Sequence, residues 1–245
     1  MLTGRHRPRP DRHAVTQTPP EHTPDPSSEA PMAPPRGASG PHVLVLVAHP
    51  DLRRSRVNRR LKQRGQAAAR SAPGIEVRDL YALYPDFTID VGAEQAAAAA
   101  ADLIVWVHPI QWYAMPALMK LWVDEVLSLG WAYGPGGRAL AGKDLWLVTS
   151  TGARQEAYHP SGYNRHFFDA FLPPYEQTAA LCGLRFLPPL VLHGAHVASA
   201  DELDSHAALF GQRILSHPDW PELADLPACE ACITPAQDRP NRALA

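Results

Sequence analysis

Short, continuously apolar segments alternate with helical segments through the middle of this chain, and this alternation constrains the fold more than any other feature of the sequence. Residues 42–48, with the sequence HVLVLVA, form the first apolar run, which is rich in β-branched side chains. Such a run is typical of a strand that is covered on both faces. Four more strands are predicted, at residues 75–80, 103–107, 145–149 and 184–192, of which 103–107 (LIVWV) is again continuously apolar.

Each predicted strand is followed by a segment with helical spacing. We predict helices at residues 55–70, 93–101, 116–129, 175–182 and 202–215. Strands that alternate with helices in this way predict an α/β fold, with a five-stranded parallel sheet and helices on both faces. Ligands bind beyond the carboxyl ends of the strands in such a sheet. The search for chemistry is therefore limited to the loops after Ala48, Val107 and Thr149.

The two ends of the chain depart from this pattern. Residues 1–41 are rich in proline, arginine and small polar residues, and we predict a disordered arm because they bury too little surface to offset their ordering entropy. Residues 218–245 form an irregular proline-rich tail, which leaves residues 42–217 as the predicted domain.

Charge and cysteine content limit the compartment and the partners. The net charge of -2 gives no electrostatic reason to expect nucleic acid as a partner. Three cysteines are too few for a disulfide framework, and no apolar run reaches the ~20 residues of a membrane-spanning helix. We therefore expect a cytoplasmic protein.

Two further features of the sequence carry residue types that can bind metals. The lone Cys229-x-x-Cys232 pair lacks the second pair of ligands that zinc needs. His193 and His196, at the end of the fifth strand, have no carboxylate at ligand spacing and are interpreted as packing or dimer contacts. We predict no metal site.

The loop after the first strand reads AHPDLRRSRVN over residues 48–58. It lacks both the GxGxxG of a dinucleotide-binding turn and the lysine of a Walker loop. It offers an imidazole, a hydroxyl, an amide and free backbone N–H groups at a helix start, and this set suits a phosphate. Ser55 is also the expected N-cap of the helix, and the two roles are compatible. The arginines of this loop are interpreted as a solvated face.

The loop after the third strand reads VHPIQWYAMP over residues 107–116. A flat heteroaromatic ligand needs an aromatic wall and backbone polar groups at its edge, and this segment can supply both. The alternative is that Trp112 and Tyr113 only pack the next helix onto the sheet.

Several motifs, in this order along the chain, together resemble one family. They are His49 with the Ser55-x-x-Asn58 spacing, HPIQWY at residues 108–113 and GWAYG at residues 130–134. This set resembles the flavodoxin-like NAD(P)H:quinone oxidoreductase family, which includes DT-diaphorase. It is most similar to the ancillary subunits of glutathione-regulated potassium-efflux systems. The resemblance covers about residues 43–215 and implies a flavodoxin-like fold.

The resemblance also implies a cofactor, FMN, with FAD as the alternative, and NADH or NADPH as the hydride donor. The phosphate would lie on the first loop and the ring on the other two. The residues implied at the phosphate are His49, Ser55, Arg56, Val57 and Asn58, and those implied along the ring are Ile110, Gln111, Trp112 and Tyr113.

The loop after the fourth strand departs from the family pattern. The family has Thr-Thr-Gly-Gly at the turn against the flavin, where this chain has Ser150, Thr151, Gly152 and Ala153. Alanine at the last position costs little if its φ is negative, and on the order of 1–2 kcal/mol if its φ is positive.

Tyr158 follows that turn, where DT-diaphorase-like members carry a tyrosine that assists the charge changes of the flavin. The resemblance therefore implies that Tyr158 is catalytic. The alternative is an ordinary exposed loop tyrosine.

The activity implied by the resemblance is hydride transfer from NAD(P)H through the flavin to a quinone. The same resemblance allows a regulatory flavin-binding subunit of a membrane potassium/proton antiporter, held at the inner face of the membrane through that partner. It further implies a homodimer in which Tyr133 lies near the neighbouring subunit's site.

Overall fold

The computed structural model describes residues 42–224. The predictions for the N-terminal arm, for the last part of the tail and for the Cys229/Cys232 pair lie outside the described residues. The strands are β1 (Val43–Val47), β2 (Ile75–Asp79), β3 (Leu103–Pro109), β4 (Asp144–Ser150) and β5 (Arg185–Leu192). All pair in parallel, in the order β2-β1-β3-β4-β5. The predicted α/β class and five-stranded parallel sheet are confirmed.

Helices cover both faces of the sheet, as predicted. They are α1 (Asn58–Ser71), α2 (Leu80–Leu83), α3 (Val91–Ala100), α4 (Ala117–Val126), α5 (Pro173–Leu181) and α6 (Ala200–Ser216). Successive side chains of a strand point to opposite faces. Val43, Val45 and Val47 of β1 accordingly pack with α1 and α6, whereas Leu44 and Leu46 pack with α3, α4 and α5.

The first helix begins later than predicted. Leu52–Arg54 form a single 3-10 turn, Ser55 has an extended backbone, and α1 begins only at Asn58. The Ser55 hydroxyl nevertheless accepts the backbone N–H of Asn58 at 2.9 Å. The N-cap of α1 is Val57, with no side-chain cap, so the predicted N-cap at Ser55 and the predicted helix boundary are both wrong because the extra turn lengthens the loop. Ser55 still accepts the first helical N–H from its place in that loop.

The packed chain continues beyond His217. The Trp220 indole packs edge-on against Trp146 at 4.8 Å and donates its N–H to the carbonyl oxygen of Arg213 at 2.8 Å. Leu223 is also buried. The predicted domain boundary therefore falls short, because two apolar side chains in the proline-rich tail complete one face of the core.

The amino-terminal end of β4 is fixed by a buried ionic cluster. Asp144 accepts two hydrogen bonds from Arg185, at 2.7 and 2.8 Å, and one from His217 at 2.7 Å. Burial raises the pKa of Asp144, but the hydrogen bonds from His217 and Arg185 outweigh burial and hold that pKa below its ordinary value. The cluster joins β4, β5 and the end of α6 at the edge of the sheet opposite the predicted site.

None of the described helices is both long enough and apolar enough to span a membrane.

Candidate functional site

A crevice of about 330 Å³ lies at the carboxyl ends of β1, β3 and β4. It is lined by residues from all three loops that the sequence singled out. These are His49, Ser55, Arg56, Val57 and Asn58 after β1, Ile110 and Gln111 after β3, and Ser150, Thr151 and Gly152 after β4. Trp112, Tyr113 and Ala153 do not line it. Its volume is within the range of small-molecule sites.

The N-terminus of α1 presents hydrogen-bond donors to this crevice. No hydrogen bond among residues 42–224 uses the backbone N–H of Arg56 or Val57. Asn58 is buried, and its Oδ1 atom has no partner among the described residues. Unpaired N–H groups at a helix start carry partial positive charge and suit an anion.

His49 adds a further donor at the same end. Its Nδ1 accepts the backbone N–H of Asp51 at 3.1 Å. Burial lowers the pKa of His49, against the smaller raising effects of Asp51 and Asp79, so the ring is neutral at pH 7. With Nδ1 acting as the acceptor, the proton of the neutral ring is on Nε2.

The crevice is basic although the chain as a whole has a net charge of -2. Two arginines, Arg54 and Arg56, are part of its lining, which includes no carboxylate. An anionic ligand would therefore meet no negatively charged side chain on the lining and would not be repelled.

A fourth segment, after β5, completes the crevice, and the sequence reasoning missed it. Ala195 and His196 are part of the lining. Backbone hydrogen bonds join this segment to the loop after β4, from Gly194 to the Ala153 carbonyl at 2.8 Å and from Ala195 to the Thr151 carbonyl at 2.9 Å. Interpreting His196 as a packing or dimer contact missed its place on the lining, because no local spacing in the sequence indicates which loops meet.

Arg56 holds this fourth segment against α1. Its guanidinium donates to the backbone carbonyls of Ala195, His196 and Ala198, at 3.2, 2.9 and 2.8 Å. Interpreting all the loop arginines as a solvated face is therefore wrong for Arg56, because its donors are engaged by backbone acceptors even though the residue stays exposed. Arg56 contributes to the crevice by positioning its wall.

The loop after β3 ends in a tight turn that directs aromatic side chains outward. Gln111 and Ala114 exchange backbone hydrogen bonds at 2.9 and 3.0 Å, and the two residues between them, Trp112 and Tyr113, both have positive φ. Trp112 is 93% exposed, whereas the Tyr113 ring stacks on Phe171 at 5.1 Å. The structure thus brings Ile110 and Gln111 into the crevice but not the two aromatic residues, and neither aromatic residue simply packs the next helix.

The loop after β4 accommodates alanine where the family has glycine. Ala153 is absent from the described non-glycine residues that have positive φ, so the substitution carries no left-handed strain. Gly152 is more restricted, because a Cβ atom there would lie 3.3 Å from Nε2 of His196. The close approach of the fourth segment thus favours glycine at position 152.

Tyr158 lies beside the crevice without lining it. The residue is 8% exposed, and its ring contacts Phe168 at 5.4 Å and His193 at 5.3 Å, so it is not an ordinary exposed tyrosine. Burial raises the pKa of Tyr158, and the smaller effect of a hydrogen bond with Thr151, which does line the crevice, lowers it. The phenol is therefore protonated at neutral pH.

Among the described residues, no cluster of three or more histidine, cysteine or acidic side chains is arranged to hold a metal ion.

Replacing Arg56 with glutamine should loosen the fourth segment, because three charge-assisted hydrogen bonds are lost. We expect the free energy of unfolding to fall by about 1–2 kcal/mol. This is less than three charge-assisted hydrogen bonds would contribute in the interior, because water competes for the exposed guanidinium. Hydrogen exchange at the amides of Gly194 and Ala195 should become faster. Arg53→Gln is the matched control, since the Arg53 side chain is 97% exposed. Unchanged exchange in Arg56→Gln would mean that Arg56 does not hold the segment.

Comparison with known proteins agrees with this architecture. Residues 41–214 match a family model described as the flavodoxin-like fold. Among solved structures, a thermophilic tryptophan halogenase from Streptomycin violaceusniger is 40% identical, with a TM-score of 0.65, over 71% of this chain and 98% of its own. General stress protein 14 from Treponema denticola, solved in complex with FMN, is 35% identical, with a TM-score of 0.65, over 69% of this chain and 95% of its own. An NADPH-quinone reductase from P. pentosaceus is 27% identical, with a TM-score of 0.62, over 72% of this chain and 98% of its own. The chain belongs to the flavodoxin-like fold family.

Proposed function

We propose that this protein is an FMN-dependent oxidoreductase that transfers hydride from NAD(P)H through the flavin to a quinone-type acceptor. The observation that carries the proposal is the crevice beyond β1, β3 and β4, which combines unpaired helix N–H groups with two arginines and no carboxylate. The FMN bound by general stress protein 14 and the NADPH-quinone reductase among the similar structures support it.

The residues present fit FMN. The phosphate would be held at the N-terminus of α1, by the backbone N–H groups of Arg56 and Val57 and by the side-chain amide of Asn58, which the Ser55 hydroxyl would orient. The side-chain amide of Asn58 is buried at the same end, where its Nδ2 atom lies 3.3 Å from the Ser55 hydroxyl oxygen and its Oδ1 atom has no partner among the described residues. Rotating that amide by 180° makes Ser55 the donor to Oδ1 and puts an NH₂ donor where the unpartnered oxygen was.

The ring would lie between the loops after β3 and β4. Ile110 would supply an apolar contact there, and Gly152 would let the backbone approach the ring closely. The bound flavin would supply the two-electron redox chemistry, and the protein would supply binding, orientation and electrostatics. Of the two flavins, FMN is the one we propose, and FAD remains the alternative.

Among the groups near the ring, Tyr158 is the one we propose as catalytic. A protonated phenol is a hydrogen-bond donor, and it would stabilise negative charge that develops on the ring when the ring is reduced. The hydroxyl of Thr151, which lines the crevice and lowers the pKa of Tyr158 through a hydrogen bond, would help to orient it.

The purified protein should bind FMN, and the bound flavin should lose its visible absorbance when NADPH or NADH is added without oxygen. A soluble benzoquinone should then restore the absorbance, because it accepts the electrons. We expect Asn58→Asp to weaken FMN binding by about tenfold or more, since it adds a negative charge next to the phosphate. Gln63→Glu adds the same charge on an exposed part of α1 and should have little effect. A wild-type protein that binds neither FMN nor FAD refutes the proposal.

Tyr158→Phe should slow flavin reduction by NAD(P)H by about tenfold, because the hydroxyl is lost while the packing against Phe168 is kept. FMN affinity should stay within about twofold. In the wild type the rate should also fall as the pH rises through the raised pKa of Tyr158, and this loss should be absent from the variant. Tyr163→Phe, at a tyrosine that is 87% exposed, is the control. An unchanged reduction rate in Tyr158→Phe argues against the catalytic role.

We also propose that the protein is a homodimer in which the partner covers Trp112. Large aromatic side chains are enriched in the buried centres of protein interfaces, and Trp112 is 93% exposed on a turn with two positive φ angles. A positive φ destabilises the fold by about 1–2 kcal/mol for each non-glycine residue. Strained turns of this kind are found at functional sites, and a role in an interface would explain this one. The potassium-efflux partner remains a prediction from the resemblance alone.

Light scattering should give twice the chain mass for the wild type and a concentration-dependent shift toward the monomer for Trp112→Ser. Leu215→Ser removes another exposed apolar side chain, on α6, and should leave the mass unchanged. A wild type that is monomeric at all concentrations contradicts the proposal.

A further inference from the structure

We propose that Arg54 pairs with the phosphate of the bound flavin and thereby sets a preference for FMN over riboflavin. The inference rests on the proposed function only in taking a flavin as the ligand. It assigns to Arg54 a role that the sequence did not indicate, since the sequence interpretation placed this arginine on a solvated face.

Arg54 is distinguished from the neighbouring arginines by its lack of a partner. Within residues 42–224 its side chain forms no ion pair and no hydrogen bond, although it lines the crevice. Arg53 lies 3.8 Å from Asp51, is nearly fully exposed and is not part of the lining. Arg56 also lines the crevice, but its guanidinium donates to three backbone carbonyls. Of the two arginines on the lining, Arg54 is therefore the one with all its donors available.

The surrounding groups indicate the chemical class of the anion. The buried amide of Asn58 lacks a partner at one atom, and the N–H groups of Arg56 and Val57 are unused. Several unused donors on one crevice lining match the oxygens of a phosphate better than a carboxylate, which has two oxygens. A phosphate monoester is a dianion above its second pKa of about 6, and the two arginine charges on the lining balance it.

A guanidinium is suited to this role because its planar fork of N–H donors can form two parallel hydrogen bonds with a phosphate. Arg54 ends the 3-10 turn Leu52–Arg54, directly before Ser55, so its backbone is held next to the start of α1. The side chain itself is exposed and must be ordered on binding. We therefore expect Arg54 to strengthen FMN binding about tenfold, which is less than a buried arginine–phosphate pair would contribute.

The test compares two ligands that differ only in the phosphate. Dissociation constants of FMN and riboflavin are measured by calorimetry for the wild type, Arg54→Gln and Arg53→Gln. We expect Arg54→Gln to weaken FMN binding about tenfold and to leave riboflavin binding unchanged. Arg53→Gln should change neither, because Arg53 is outside the crevice. The wild-type preference for FMN should also shrink as the pH falls through about 6, and this dependence should be weaker in Arg54→Gln.

The outcomes separate this inference from the proposed function. An unchanged FMN constant in Arg54→Gln overturns the inference, and so does equal weakening of both flavins, which would indicate an altered crevice. A wild type that binds FMN and riboflavin equally well overturns the inference but leaves flavin binding intact. A wild type that binds neither flavin overturns the proposed function and the inference together.

Discussion

The position of β1 between β2 and β3 is the constraint on which the rest of the structure depends. The chain leaves β1 toward the face covered by α1 and α6, and it leaves β3 toward the face covered by α4 and α5. Because the two loops diverge to opposite faces, a gap opens between them at the carboxyl edge of the sheet. The crevice occupies that gap, and Arg56 and Val57, which line it directly before α1, have backbone N–H groups that no described residue uses. The strand order therefore creates the crevice, and the side chains that line it determine which ligand it suits.

The crevice also depends on contacts between loops that are distant in sequence. The segment after β5 is hydrogen-bonded to the loop after β4 and is held to α1 by Arg56. His196 then lies so close to Gly152 that a Cβ atom there would contact it at 3.3 Å. Two arginines and no carboxylate on this lining produce a locally basic site on a chain with a net negative charge. An anionic group is the ligand part that this electrostatic arrangement favours.

Much of this organisation could be predicted from local sequence. The strands lie within a few residues of their predicted positions, because a buried parallel strand requires a continuous apolar run. The Ser55 hydroxyl does accept the first helical N–H, but Val57 is the N-cap of α1, because the extra 3-10 turn could not be recognised from spacing. Trp220 was assigned to the tail because prolines surround it, and only its packing on Trp146 revealed that it belongs to the core.

The sequence by itself determined the fold class, the three loops that hold the candidate site and the presence of an anion-suited helix start. Each of these depends on residues close together in the chain, whose periodicity and hydrogen-bonding capacity are local properties. Only the tertiary structure decided that a fourth loop completes the crevice, that Trp112 faces solvent, and that Arg56 is engaged while Arg54 is free. Those outcomes depend on which backbone carbonyls and rings meet across the fold, and residues more than a hundred positions apart carry no local signal that they will meet.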